Sequence, residues 1–426
     1  MKGWMRVMTI GLTAVVAVTV GLPLLPVFQP RAALACVVGT GTSASCTEVA
    51  LNACLPHGGG FDGTVTFNCG GSATITVTAT KTIDSNTSID GGGLITISGG
   101  GSKRVFLVSA TFDFSVQNLT IANGFSASGA GAIDTGSGSG GTLTVTNSTF
   151  SGNASCISGQ NRTMIITNST FSGNSASGGG NGGALKVGNG TTMSVTSSTF
   201  SGNSAGVNGG AINNNGALTV TNSTFSGNSA VGGGGVIYNN ASGTVTITNS
   251  TFSGNSAGSG VVIANAGGVT VTNSILANST PAGSNCSGAH APVDGGNNID
   301  DGATCGFTGT GCSNTSGTSF CNTNPVLDPT GLQNNGGPTQ TIALVAVSPA
   351  INAGNESVCA ASPVNSLDQR GFGRPGTGHA NCSIGAYEAD AAIPALSGWG
   401  VVAFSGLALI FILWRARRHP RRFAAA

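Results

Sequence analysis

The sequence predicts an all-β fold, a right-handed parallel β-helix, and three observations carry that expectation. The segment F-S-G-N recurs five times, at 150–153, 171–174, 200–203, 225–228 and 252–255. Each copy follows a short alternating strand, as in Leu218-Thr-Val-Thr-Asn222-Ser-Thr-Phe225, and looser copies at 114–121 and 269–276 flank the set. Glycine contributes 71 of 426 residues while charged residues reach only 7%, so turns are frequent and the repeats nearly uncharged. A strand-and-bend unit of this size cannot bury its apolar face alone. Stacked on its neighbours, it can.

Seven units share the frame apolar-x-apolar-x-Asn-x-x-apolar at spacings of 21 to 29 residues, and only Ser197 departs from Asn. Alternation puts Leu218, Val220 and Asn222 on one side of the strand and Thr219, Thr221 and Ser223 on the other. The apolar pair marks the inner side. Asn118, Asn147, Asn168, Asn222, Asn249 and Asn273 are therefore expected to point inward and form a hydrogen-bonded ladder. An inward position also argues against glycosylation at N-S-T. Glycine pairs open the other half of each unit: Gly182-Gly183-Ala184-Leu185, Gly209-Gly210-Ala211-Ile212 and Gly234-Gly235-Val236-Ile237. No P-loop or dinucleotide fingerprint accompanies them, so they read as turn glycines. In the shortest unit Cys156-Ile157 takes the small-apolar place, and Cys156 reads as a buried free thiol.

Both ends differ from the middle. Lys2 and Arg6 precede an apolar run, and Ala33-Leu34-Ala35 before Cys36 is a small-x-small cleavage site, the pattern of an export signal. All eleven cysteines follow it. Ten of them (Cys36, Cys46, Cys54, Cys69, Cys286, Cys305, Cys312, Cys321, Cys359 and Cys382) bracket the repeats and are expected to form five disulfides in an oxidising compartment. A zinc site is disfavoured because there is no C-x-x-C pair; no cofactor is expected. The stretch from Ile393 to Trp414 is about long enough to span a bilayer, and Arg415, Arg417, Arg418, Arg421 and Arg422 follow it. The expected divisions are a signal peptide (1–35), a cap with the first coils (36–110), repeat coils (111–280), a cysteine-containing C-terminal region (281–390) and a sorting segment (391–426).

Three stretches resemble known families. Ile393-Pro394-Ala395-Leu396 with Trp399-Gly400, one hydrophobic helix and the arginine cluster resembles the IPTL-type C-terminal sorting domain. That resemblance implies recognition by an exosortase-like membrane peptidase, with Ala395 standing where the family has Thr. G-G-A-[ILV] alternating with F-x-x-N over 129–279 resembles the repeats of the polymorphic outer-membrane proteins, which are β-helical adhesins. Those proteins end in a barrel for which this chain has too few residues. Residues 326–388, with Leu332-Gln-Asn-Asn-Gly-Gly-Pro-Thr339, Asp368-Gln-Arg-Gly371 and Ile384-Gly-Ala-Tyr-Glu388, resemble the choice-of-anchor domain. It implies export and anchoring and names no chemistry.

Charge and acid placement limit the function. Without its two terminal segments the chain keeps 7 basic and 14 acidic side chains, net −7, which disfavours nucleic-acid binding. From Thr135 to Val293 there is no Asp or Glu, so the coils supply no carboxylate pair for glycan cleavage. Asp294, Asp300 and Asp301 lie beyond them, in a Gly/Asn-rich stretch suited to turns. The expected role is that of an anchored, non-enzymatic surface protein, structural or adhesin-like, in a Gram-negative envelope. Polysaccharide binding or cleavage is the alternative, and ice binding through the outward Thr rows (Thr144/Thr146, Thr219/Thr221, Thr246/Thr248, Thr270/Thr272) is a minor one. Asp368, Arg370 and Glu388 are read as an end-cap network. Residues 36–69 and 286–388 are expected to cover the open edges of the helix.

Overall fold

In the computed structural model, residues 35–109, 111–176 and 179–390 are described. They form a parallel β-solenoid of about eleven turns, built from a broad 21-stranded sheet, a second sheet of nine strands and a third of four. The signal segment and the sorting segment with Arg415, Arg417 and Arg418 lie outside the described residues. Among the described residues no helix is long and apolar enough to cross a membrane.

Stacking is in strict register. Phe150 pairs with Phe171, Phe171 with Phe200, Phe200 with Phe225 and Phe225 with Phe252. Their rings lie parallel with centroids 4.7–4.8 Å apart. Beside them run the alternating apolar columns that include Phe114 and Leu143, and Val116 and Val145, all fully buried. In the second sheet Ile133, Ile157, Leu185, Ile212, Ile237 and Ile263 stack likewise. Gly209 has φ +69°, and a Cβ on Gly210 would lie 2.2 Å from the Gly235 carbonyl oxygen. The first glycine makes the corner, and the second lets consecutive coils touch.

The asparagine ladder exists, but the expected residues do not carry it: among them only Asn147 Nδ2 donates to Asn118 Oδ1, at a long 3.4 Å. Asn118, Asn147, Asn168, Asn222, Asn249 and Asn273 all have φ between 46° and 51°, as does Ser197. The chain bends at this residue, in the left-handed conformation that Asn tolerates best after Gly. The bend shifts the phase of the alternation, so the following serine, not the Asn, turns inward. Ser148, Ser169, Ser198, Ser223, Ser250 and Ser274 are buried. Each of their hydroxyls donates to the Thr carbonyl two residues earlier. Except at Ser148, each also accepts the backbone N–H of the preceding coil's serine. Asn147 is exposed outright.

The buried ladder belongs to the asparagine of F-S-G-N. Asn153, Asn174, Asn203, Asn228 and Asn255 are at most 1% exposed. Each of the first four Nδ2 groups donates to the next Oδ1 at 2.9–3.0 Å. Each also donates to a main-chain carbonyl one coil back, Phe150 and Phe171 among them. A shorter ladder joins Asn214, Asn239 and Asn265.

Both ends are stapled. Cys36–Cys54 and Cys46–Cys69 close the first coil, and Cys286–Cys305 and Cys312–Cys321 the last. Cys359–Cys382 lies in the C-terminal module. Cys156 is free and fully buried, and burial pushes its thiol pKa well up. Helix Glu48–Cys54, capped by Thr47, sets Leu51 and Cys54 against the end of the core. Glu48 ties it to the coils by pairing with Lys81 and accepting from Thr78.

Two measurements test this account. Asn203→Ala strands several buried partners at about 1–3 kcal/mol each and is expected to lower the melting temperature markedly. Asn147→Gly, at an exposed left-handed bend, costs less than about 1 kcal/mol; the reverse order in thermal melts would refute the ladder assignment. Burial raises the Glu48 pKa, but the Lys81 and Thr78 hydrogen bonds outweigh it and bring the value from 4.5 to about 2. The contribution of Glu48 is therefore present above about pH 4.5 and lost as pH falls towards 2. The stability gap between the parent and Glu48→Gln should close over that interval.

Candidate functional site

The acidic residues that flank the coils are the first place to look for chemistry. Asp294 accepts from Gly296 N, Asn298 Nδ2, Ser319 Oγ, Thr308 N and Thr308 Oγ1 at 2.8–3.1 Å. Burial raises its pKa, yet the hydrogen bonds from Thr308 N, Ser319, Gly296 N and Asn298 outweigh it and hold the carboxyl below the usual range. Asp300 is fully buried, and burial dominates, raising its pKa although it accepts from Asn285, Gly302 N and Cys305 N. Asn285 Nδ2 donates to both Asp300 and Asp301. These carboxylates fasten the final coil, and their acceptor capacity is largely filled by protein donors.

Residues 325–390 form a module that does not cap the solenoid's end, contrary to the sequence expectation. It folds back along the flank of the broad sheet. Gln369 Nε2 donates to Thr199 Oγ1, and Thr224 Oγ1 donates to Gln369 Oε1. Asn222, Asn249 and Asn273 reach Leu367 O, Cys359 Sγ and Asn355 O. The bend asparagines are buried here by the module, and not by their direction within the coil. Edge closure at the end itself falls to the last coil and its two disulfides.

Inside the module the ion-pair network is present. Arg370 pairs with Asp368 at 2.6 Å and stacks over Tyr387 at 3.6 Å and Phe372 at 4.4 Å. Arg374, fully buried, pairs with Glu388 at 3.0 Å and donates to Ser383 O and Gly385 O. Burial lowers the Arg374 pKa, and the Glu388 and Asp368 carboxylates oppose that shift. Glu356, Cys359 and Cys382 come together, but the two sulfurs are bonded to each other and Glu356 accepts from Cys382 N. That is turn chemistry, not a metal centre.

Two outer surfaces remain. The first strands of the broad sheet stack Thr144, Ile165, Ser194, Thr219, Thr246 and Thr270 in one row, beside a row of Thr146, Thr167, Thr196, Thr221, Thr248 and Thr272. The first row is broken at Ile165 and Ser194. The second surface is a notch of about 260 Å³ at the shortest coil, lined by Phe125, Ser155, Asn181 and Lys186. Sequence reasoning passed over these residues. The only sign of them was the 21-residue spacing that sets that coil apart.

Residues 104–258 match the family model described as the right-handed beta helix region. No curated protein and no solved structure is significantly similar to the chain. The match agrees with the solenoid geometry and spans its most regular coils.

Arg374→Met leaves Glu388 buried without its cation, a loss of about 3–5 kcal/mol. Limited proteolysis is expected to cut this variant within 325–390 while the coils resist. Equal resistance of the module in both proteins would show that the pair is not what holds it.

Proposed function

We propose that this β-helix is an exported, envelope-associated surface protein with a structural or adhesin-like role, and that it is not an enzyme. The observation that carries the reading is the fate of its carboxylates. None occurs from Thr135 to Val293, and Asp294, Asp300 and Asp301 are bound by protein donors in the closing turns. Paired acids free to protonate a leaving group or to activate water are what glycan cleavage requires. Five disulfides suit an oxidising compartment.

On this reading the chain is exported by cleavage after Ala35. It is then held or processed at Ile393-Pro394-Ala395-Leu396 by an exosortase-like peptidase, its membrane contact being the segment that follows. Binding of extracellular polysaccharide, without cleavage, is the second reading, and the notch at the shortest coil favours it. Ice binding has less support because one Thr row is broken at Ile165 and Ser194 and Thr221 of the other is buried.

Fractionation of the native host with mass mapping of both termini tests the assignment. The expected product begins near Cys36, ends before the arginine cluster, resides at the surface or in the matrix, and turns over no polysaccharide. An intact C-terminus in the inner membrane would refute surface sorting. Glycan turnover by the purified protein would refute the non-enzymatic role.

A further inference from the structure

One coil breaks the regularity of the solenoid. After F-S-G-N the other repeats run through a strand of the third sheet, Ser175–Ala176, Ser204–Ala205, Ser229–Gly233 or Ser256–Ser259, before reaching the glycine corner. The coil that begins at Thr142 omits this excursion. Asn153 is followed at once by Ala154, Ser155 and Cys156, and Cys156 is already in the core. Its neighbours keep their excursions, with Phe125, Ser126, Ala127 and Gly129 on one side and Ser175, Ala176, Gly179, Gly180 and Asn181 on the other. The missing turn leaves a slot between walls two rungs apart, about 9–10 Å between backbones. A helix, about 10–12 Å across, does not enter such a slot; a single flat ring does.

The lining has a definite chemistry. One wall is braced by Arg104, which pairs with Asp134 at 2.9 Å and donates to Ala130 O and Ser126 Oγ. With that wall fixed, the Phe125 side chain stands 45% exposed at the slot. Lys186 makes no ion pair with any described residue. Asn181 Oδ1 is taken by Asn208 N, and among the described residues neither Asn181 Nδ2 nor Ser155 Oγ has a hydrogen-bond partner. The slot thus combines an aromatic platform, one cation and two further donors, and the nearby Asp134 is already neutralised by Arg104. Donors exceed acceptors, on a chain whose region between the terminal segments is net negative.

We propose that this notch binds one carboxylated pyranose unit of an acidic polysaccharide. The sugar face packs on Phe125, and its carboxylate takes the Lys186 ammonium with the Asn181 and Ser155 donors. A ring with both an apolar face and a carboxylate meets all four groups at once, whereas a neutral sugar leaves the ammonium without a counter-charge. This deepens the polysaccharide-binding reading, and its failure leaves the non-enzymatic role standing.

Isothermal titration of the exported protein with a trimer of galacturonic acid and with the matching neutral galactose trimer tests it. The acidic trimer is expected to bind at least about tenfold more tightly at low salt, with the advantage shrinking as salt rises. Lys186→Gln should remove most of that advantage, Lys186→Arg should keep it, and Phe125→Ala should weaken both sugars. Both side chains are exposed, so thermal melts of the variants should match the parent. Absent binding, equal affinity for the two trimers, or affinity unchanged in Lys186→Gln and Phe125→Ala would each overturn the proposal.

Discussion

Every interior position of this solenoid has its own repeat as nearest neighbour, one rung away, and the rest of the structure depends on that. A residue type is admissible there only if it complements itself. Phenylalanine does so by stacking, with centroids 4.7–4.8 Å apart. Asparagine does so because a primary amide carries donor and acceptor together, so each Nδ2 can meet the next Oδ1. A carboxylate or an ammonium would face its own charge at the same distance in low dielectric. At the interior positions of the coils, the absence of Asp and Glu from Thr135 to Val293 accords with this rule.

The same rule explains what could be read in advance. Recurrence exposes the stacking axis directly, so the parallel helix, the apolar columns and the buried Cys156 were legible from spacing alone. The choice between two asparagines per coil was not. Period-2 alternation holds only while the backbone stays extended, and at Asn147 or Asn222 it leaves that region for φ near 47°. From there the inward parity passes to Ser148 and Ser223, and then to Phe150 and Phe225. An inward Phe150 or Phe225, out of phase with the strand before it, is the mark that this bend leaves in the sequence.

The C-terminal module was harder still. Its arginine and carboxylate pairs are local, and Asp368-Gln-Arg-Gly371 reads as a turn with an ion pair. Its seat on the solenoid rests on long-range hydrogen bonds such as Gln369 to Thr199 and Thr224, between residue types that are ordinary on any surface. No periodicity reports such a contact. The notch at the shortest coil escaped for the opposite reason, because it is made by residues that are missing.

The flank position of the module decides how the molecule carries load. Its hydrogen bonds to the coils run from Ser197 to Asn297, and its described part ends at Asp390. Tension applied at that end is shared across several coils at once, through bonds arranged side by side. A module seated on the terminal coil alone would instead pass the whole force to one rung, which could peel away and expose the next. Lateral attachment makes the joint fail in shear and not by unzipping.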